Sequence, residues 1–187
     1  TPAYYRGKVY AGAWNSGVYA FEAKTGKSAW HMSTSDTGPS APVCKDGMCV
    51  FNTDSCTMFN VEADTGRMLW SWWLGSPQRA APVVAGNTVY TTYPKNDAQG
   101  AHGSKYVVGA FDLKTGAPKW RRWIDGEALM APVVHGGRTY VATQRGTLYE
   151  LSAADGAVIE VRANGIAAPP VVSGEGLVLS HAEATPV

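Results

Sequence analysis

Three cysteines and four histidines are the residue types best suited to nucleophilic, redox or metal chemistry in this chain, and their spacing limits what they can do. Cys44 and Cys49 flank Lys45-Asp46-Gly47-Met48, in which Asp-Gly is the favoured two-residue hairpin turn. Lys45 and Met48 then form the hydrogen-bonded pair beside the turn. Cys44 faces Cys49 in the next, non-hydrogen-bonded pair, where Cα atoms approach to about 4.5 Å. That separation lies at the short end of the disulfide range, so a Cys44–Cys49 cross-strand disulfide is predicted, in keeping with an oxidising compartment. Cys56 lies too far along the chain to compete and is expected to be a free thiol filling core space. His31, His102, His135 and His181 form no metal-binding pattern such as His-x-x-x-His. Asn52, Asp54 and Asn96 carry oxygens that suit a hard cation, but they fall in separate turns at no diagnostic spacing. Cys-x-x-Cys-His, Gly-x-Ser-x-Gly and the phosphate loop do not occur, so no catalytic constellation emerges.

The elements that must position these residues repeat. Ala20 to Trp30 reads AFEAKTGKSAW, Asn60 to Trp70 NVEADTGRMLW, Ala110 to Trp120 AFDLKTGAPKW, and Glu150 to Glu160 ELSAADGAVIE. The glycines of the turns, Gly26, Gly66, Gly116 and Gly156, fall at steps of 40, 50 and 40 residues. Each copy alternates apolar and polar residues, turns at a Gly, and ends in a short run that closes on Trp30, Trp70 or Trp120, with Glu160 in the fourth. That is how a two-strand hairpin is written. Pro2, Pro42, Pro82, Pro132 and Pro170 recur in step, each opening a further pair of short apolar runs. Four antiparallel strands in about 40 residues is the content of one propeller blade. The predicted fold is therefore all-β: blades at about 1–40, 41–80, 81–130 and 131–168, with an incomplete fifth at 169–187.

The third unit holds a ten-residue excess, at 93–105, rich in Gly and polar residues and expected to project as a loop between its second and third strands. Loops that exceed the repeat are where repeat proteins acquire function, against the commoner case of an inert, mobile insertion. Asn96 and His102 in that loop, with Trp72, Trp73 and Arg79 beyond the second repeat, are the candidate partner contacts, since aromatic residues and Arg dominate binding hot spots. Inter-blade packing is the competing role for either Trp. Lys119, Arg121 and Arg122 flank Trp120 on an outermost strand, where charge blunts a sheet edge, with a phosphate site as the alternative. His135 is expected in an exposed turn.

With 45% hydrophobic residues, the chain can bury a sizeable core as one domain. A net charge of +1 with 17% charged residues does not point to nucleic acid as a partner. No apolar run is long enough to span a bilayer, and a secretory leader, if there is one, is expected to lie outside the chain or to have been removed.

The Gly-to-Trp segment resembles the PQQ-like (quinoprotein-type) propeller repeat, Ala-x-Asp-x-x-Thr-Gly-x-x-x-Trp. Ala110, Asp112, Thr115, Gly116 and Trp120 match every fixed position, whereas the first copy has Glu22, the second Asn60 and Glu62, and the fourth only Asp155-Gly156 of the turn. The resemblance implies that Trp30, Trp70 and Trp120 dock between neighbouring blades. It also implies a larger ring, most often of eight blades, of which this chain is about half, with a closed small propeller as the alternative; a half-ring is expected to self-associate or to bind its missing blades. In the quinoprotein dehydrogenases of the family the ring centre holds the quinone, with calcium and a pair of adjacent cysteines, and this chain lacks that pair. The expected function is thus a non-catalytic binding or scaffold propeller of an exported bacterial protein, periplasmic or extracellular, holding a protein partner through its loop face. The alternative is part of a PQQ- and calcium-dependent alcohol or sugar dehydrogenase.

Overall fold

The computed structural model describes residues 1–13, 17–34, 39–54, 57–75, 80–95, 106–163, 168, 170–173 and 176–178. Every regular element among them is a strand. The first sheet runs in the order β1 (Ala3–Tyr5), β2 (Lys8–Ala13), β3 (Gly17–Glu22), β4 (Ser28–Met32). The second is β5 (Val43–Lys45), β6 (Met48–Asn52), β7 (Thr57–Glu62), β8 (Met68–Trp73). The third is β9 (Val83–Ala85), β10 (Thr88–Pro94), β11 (Tyr106–Asp112), β12 (Pro118–Ile124). The fourth is β13 (Val133–His135), β14 (Arg138–Ala142), β15 (Leu148–Ser152), β16 (Val158–Arg162), and the hairpin of β17 (Val171–Ser173) and β18 (Gly176–Val178) follows. Neighbouring strands in each sheet are antiparallel and consecutive in the chain. The first strands β1, β5, β9, β13 and β17 lie side by side in order, which makes them the inner strands of successive blades. The fold is a β-propeller arc of four blades and the opening hairpin of another.

The repeat motif builds the outer hairpin of each blade. In blade three the Asp112 carboxylate accepts hydrogen bonds from the Lys114 and Thr115 amides and the Thr115 hydroxyl, each at 3.0 Å. Gly116 then closes the turn by donating its N–H to Asp112 O at 2.9 Å, in the left-handed conformation (φ +71°) that glycine adopts without strain. The pairing of third and fourth strands slips by one residue at the Ala of the motif in blades one and three, at Asn60 in blade two and at Glu150 in blade four.

The core is the set of faces between blades. Strand β6 is buried throughout, and its side chains alternate: Cys49 and Phe51 pack with Tyr10, Val18 and Trp30 of blade one, while Met48 and Val50 pack with Val89, Tyr93 and Phe111 of blade three. A third cluster joins Tyr90, Val108 and Trp120 to Val141 and Leu151 of blade four.

The Cys44–Cys49 disulfide forms, with the two cysteines opposite each other, Lys45 opposite Met48, and Asp46 and Gly47 both at positive φ (49° and 79°) in the turn. Two expectations are corrected. Tyr93 and Pro94 are not loop: they extend β10, opposite Val107 and Tyr106, because Tyr93 is buried against Phe111 and a proline at the last strand position interrupts no further ladder. His135 ends β13 opposite Arg138 and is half-buried rather than exposed, because the turn that follows is made by Gly136-Gly137.

Candidate functional site

The chemistry-bearing residues of the repeat converge on the seams between blades. Trp30 Nε1 donates to Ala63 O at 2.8 Å, Trp70 Nε1 to Leu113 O at 2.9 Å and Trp120 Nε1 to Ala153 O at 3.0 Å. Each indole lies over the turn glycine of the blade it reaches. A Cβ on Gly66 would stand 2.6 Å from Trp30, one on Gly116 2.8 Å from Trp70, and one on Gly156 2.5 Å from Trp120. Only glycine leaves room for the ring and also takes the positive φ of the turn.

Each of these carbonyls receives a second donor. Tyr10 OH reaches Ala63 O and Tyr90 OH reaches Ala153 O, both at 3.1 Å, and in both seams the Tyr ring tilts against the Trp at 5.9 Å between centroids. Burial pushes the Tyr10 hydroxyl up to about 12, with the Asp64 carboxylate adding to it, and burial also raises Tyr90. Both phenols therefore stay protonated and donate across the ordinary pH range. Blade two has Val50 at the Tyr position, and there Asn60 Nδ2 donates to Leu113 O at 2.7 Å instead.

A further contact lies two residues beyond the repeat Trp, on the same strand face. Trp72 Nε1 donates to Gly116 O at 2.6 Å and Arg122 Nε to Gly156 O at 2.7 Å. Trp72 and Trp73 consequently do not form one patch: Trp72 reaches blade three, while Trp73 points away and is 73% exposed. Arg122 crosses a seam rather than blunting a sheet edge. Lys119 folds back over its own blade, donating to Asn87 O and Thr88 Oγ1 and pairing with Asp112 at 3.6 Å, and Arg121 is exposed. The hydroxyl of Thr147 in blade four donates to Asp125 Oδ2 at 2.6 Å, and Tyr149 OH accepts from the Asp125 amide at 3.1 Å, tying the end of β12 to the next blade.

Arg79, Asn96, His102, His181 and Cys56 lie outside the described residues, as does 96–105 of the long loop. Asn52 is fully buried, its Nδ2 donating to Ala80 O at 2.7 Å and Thr91 Oγ1 at 3.2 Å, while Asp54 follows it at the end of the same hairpin arm. Calcium takes six to eight oxygen ligands. Among the described residues no group of three or more His, Cys, Asp or Glu side chains comes together.

The model of the outer membrane protein assembly factor BamB, a PQQ-repeat family, matches residues 14–103 and 104–185. The chain belongs to this family. Among solved structures, BamB from Moraxella catarrhalis superimposes with a TM-score of 0.76 at 20% identity, covering 97% of this chain and 54% of that one. The quinohemoprotein alcohol dehydrogenase ADHIIG from Pseudomonas putida HK5 gives 0.72 at 14% identity, over 88% of this chain and 34% of that one. The computationally designed protein Ika8 gives 0.78 at 13% identity, over 96% and 54%. At such identities the likeness is one of fold, and the chain spans about half the length of the BamB it resembles. No curated protein matches the chain. No helix among the described residues is long and apolar enough to cross a membrane.

Proposed function

We propose that the chain is a non-catalytic binding or scaffold propeller of an exported bacterial protein, and that it holds a protein partner through the face on which its long loop emerges. The observation that carries this reading is Trp73. It ends β8 opposite Thr57, at the end of the blade where second and third strands connect, and it is 73% exposed while the repeat tryptophans are committed to seams. An indole left in water at a blade rim is the type of residue that anchors protein interfaces. Membership in the family of an outer membrane assembly factor supports a scaffold role. The Cys44–Cys49 disulfide supports an exported location.

The test is a photo-crosslinking residue at position 73 of the full-length protein, expressed in its own cell envelope, with the same residue at exposed Lys114 as control. A discrete adduct from position 73 alone is expected, and the same products from both positions would refute the reading. Addition of the quinone with calcium gives the second arm. Quinone-dependent dye reduction would replace the scaffold reading with the dehydrogenase.

A further inference from the structure

Blade two has a described blade on either side, so the exposure of its outer strand β8 does not depend on what lies beyond the arc. Of the residues of β8, Met68 is 52% exposed, Trp72 41% and Trp73 73%, and none from Met68 to Trp73 is charged. The other outer strands differ. Lys119, Arg121 and Arg122 lie on β12 and Glu160 and Arg162 on β16, while in β4 Trp30 is buried and His31 stacks on Tyr19 at 4.1 Å between centroids. Charge on an outermost strand guards it against pairing with another chain. β8 combines large exposed apolar side chains with no such guard.

The ladder fixes which backbone groups of β8 are free. Thr53 N–H donates to Thr57 O at 2.9 Å, so Thr57 turns its backbone groups towards β6. Alternation then turns those of Met58 and Asn60 towards β8, where they meet Trp72 and Trp70. Ser71 and Trp73, opposite Phe59 and Thr57, therefore direct their N–H and C=O away from β7, and β8 is the last strand of its sheet. Both residues are exposed. Ser71 is small and sits between two indoles in sequence, which leaves room for a second backbone to approach.

We infer that β8 is a strand-addition site, at which an extended, uncharged segment of the partner protein pairs with the backbone of Ser71 and Trp73. The chemistry of the occupant follows from the edge. Outward N–H and C=O groups at alternate residues match a strand and not a helix, whose backbone groups are spent on its own turns. A charged residue set against Trp72 or Trp73 would lose hydration with no counter-ion on β8 to replace it, whereas aromatic and β-branched residues pair favourably with an indole across strands. The inference rests on the reading that Trp73 meets a protein partner, and it adds how that partner is held.

The probe is a capped Val-Thr-Val-Thr-Val-Thr peptide, titrated into the isotope-labelled full chain and followed by amide NMR. Saturable shifts are expected at the Ser71 and Trp73 amides, and smaller ones at Trp70 and Trp72, whose amides point to β7. Ser71→Pro removes an N–H that the blade's own ladder does not use, a place where an edge strand tolerates proline. It should weaken the peptide about 10-fold, the loss of one or two backbone hydrogen bonds, while Ser71→Ala, which keeps the N–H, binds as the parent does. If Ser71→Pro does not fold, Ser71→Lys, which sets a charge on the edge, should give a loss of the same order. In the cell envelope the adduct from position 73 should disappear in the Ser71→Pro protein. Absence of a saturable shift, or equal binding by the parent and Ser71→Pro, would overturn the inference. So would an adduct that persists in Ser71→Pro, which would leave the contact at Trp73 standing; no adduct from position 73 in the parent would instead remove the reading beneath both. An adduct of this chain with itself would give the edge to a second copy and overturn the choice of occupant.

Discussion

Gly26 and Gly156 share a φ of +69° but differ in what lies above them, which makes the pair a direct measurement of a seam. Alanine in the left-handed region costs about 1–2 kcal/mol at either site. At Gly26 that is the whole cost, because nothing described stands within 4 Å. At Gly156 the new methyl would sit 2.5 Å from Trp120 Cε3, so the indole must move from the carbonyl that it and Tyr90 share. Overpacking of this kind adds about 1–3 kcal/mol. Gly26→Ala should therefore lower unfolding stability by about 1–2 kcal/mol and Gly156→Ala by about 2–5 kcal/mol. Urea titration followed by circular dichroism reads both. In a Trp120→Ala background the excess at Gly156 should vanish and leave the backbone cost alone. Equal losses for the two glycine variants, or an excess at Gly156 that persists without Trp120, would refute the seam as the energetic unit of the fold.

Reduction of Cys44–Cys49, or the double Ser variant, should cost about 2 kcal/mol by the loop-closure relation for a separation of 5 residues, read as a lower urea midpoint in dithiothreitol; an unchanged midpoint would contradict it. The Thr115 amide first, then the Thr115 hydroxyl, the Lys114 amide and the Lys119 ammonium hold Asp112 below the usual carboxylate range. Its folded value is depressed, so its contribution is fully present above about pH 4 and fades as the pH falls through the lower folded value. Asp112→Asn should thus be less stable than the parent at pH 7, with the gap narrowing towards pH 2; a gap that widens in acid would be inconsistent. Trp73→Ala should leave the urea midpoint within about 0.5 kcal/mol of the parent, as for an exposed side chain, while Trp72→Ala should lower it by more through loss of the Gly116 contact.

Much of this architecture could be read from residues alone, because a fixed step between Gly and Trp is a signal that survives the erosion of everything between. The disulfide was legible for a local reason: Asp46-Gly47 sets the register of its hairpin, and register alone decides which side chains meet. The seam partners were harder. Strand alternation does place Trp72 on the face of Trp70 and Arg122 on that of Trp120, but it does not say that the face is turned to a neighbouring blade with a carbonyl in reach. Asn60 reads as a worn Ala of the motif. Its role appears only when positions 10, 50, 90 and 140 are set beside 20, 60, 110 and 150, where the one blade with Val in place of Tyr is the one with Asn in place of Ala. Exchange between two strands of that kind is invisible to any reading of one strand at a time.

That exchange also explains why the seams tolerate so much drift in sequence. The receiving carbonyl has two lone pairs, and a buried carbonyl is costly to leave unpaired. Two donors satisfy it: the indole always supplies one, and the other comes from whichever strand still carries a polar reach, Tyr10, Asn60 or Tyr90. Blade four breaks the rule on its outgoing side. Glu150, 6% exposed, replaces the Ala and pairs with Arg138, and Glu160 replaces the Trp and pairs with Arg162. A face built on two ion pairs offers no indole N–H, so the outgoing face of blade four works through charge where those of blades one to three work through a ring that donates to the next blade.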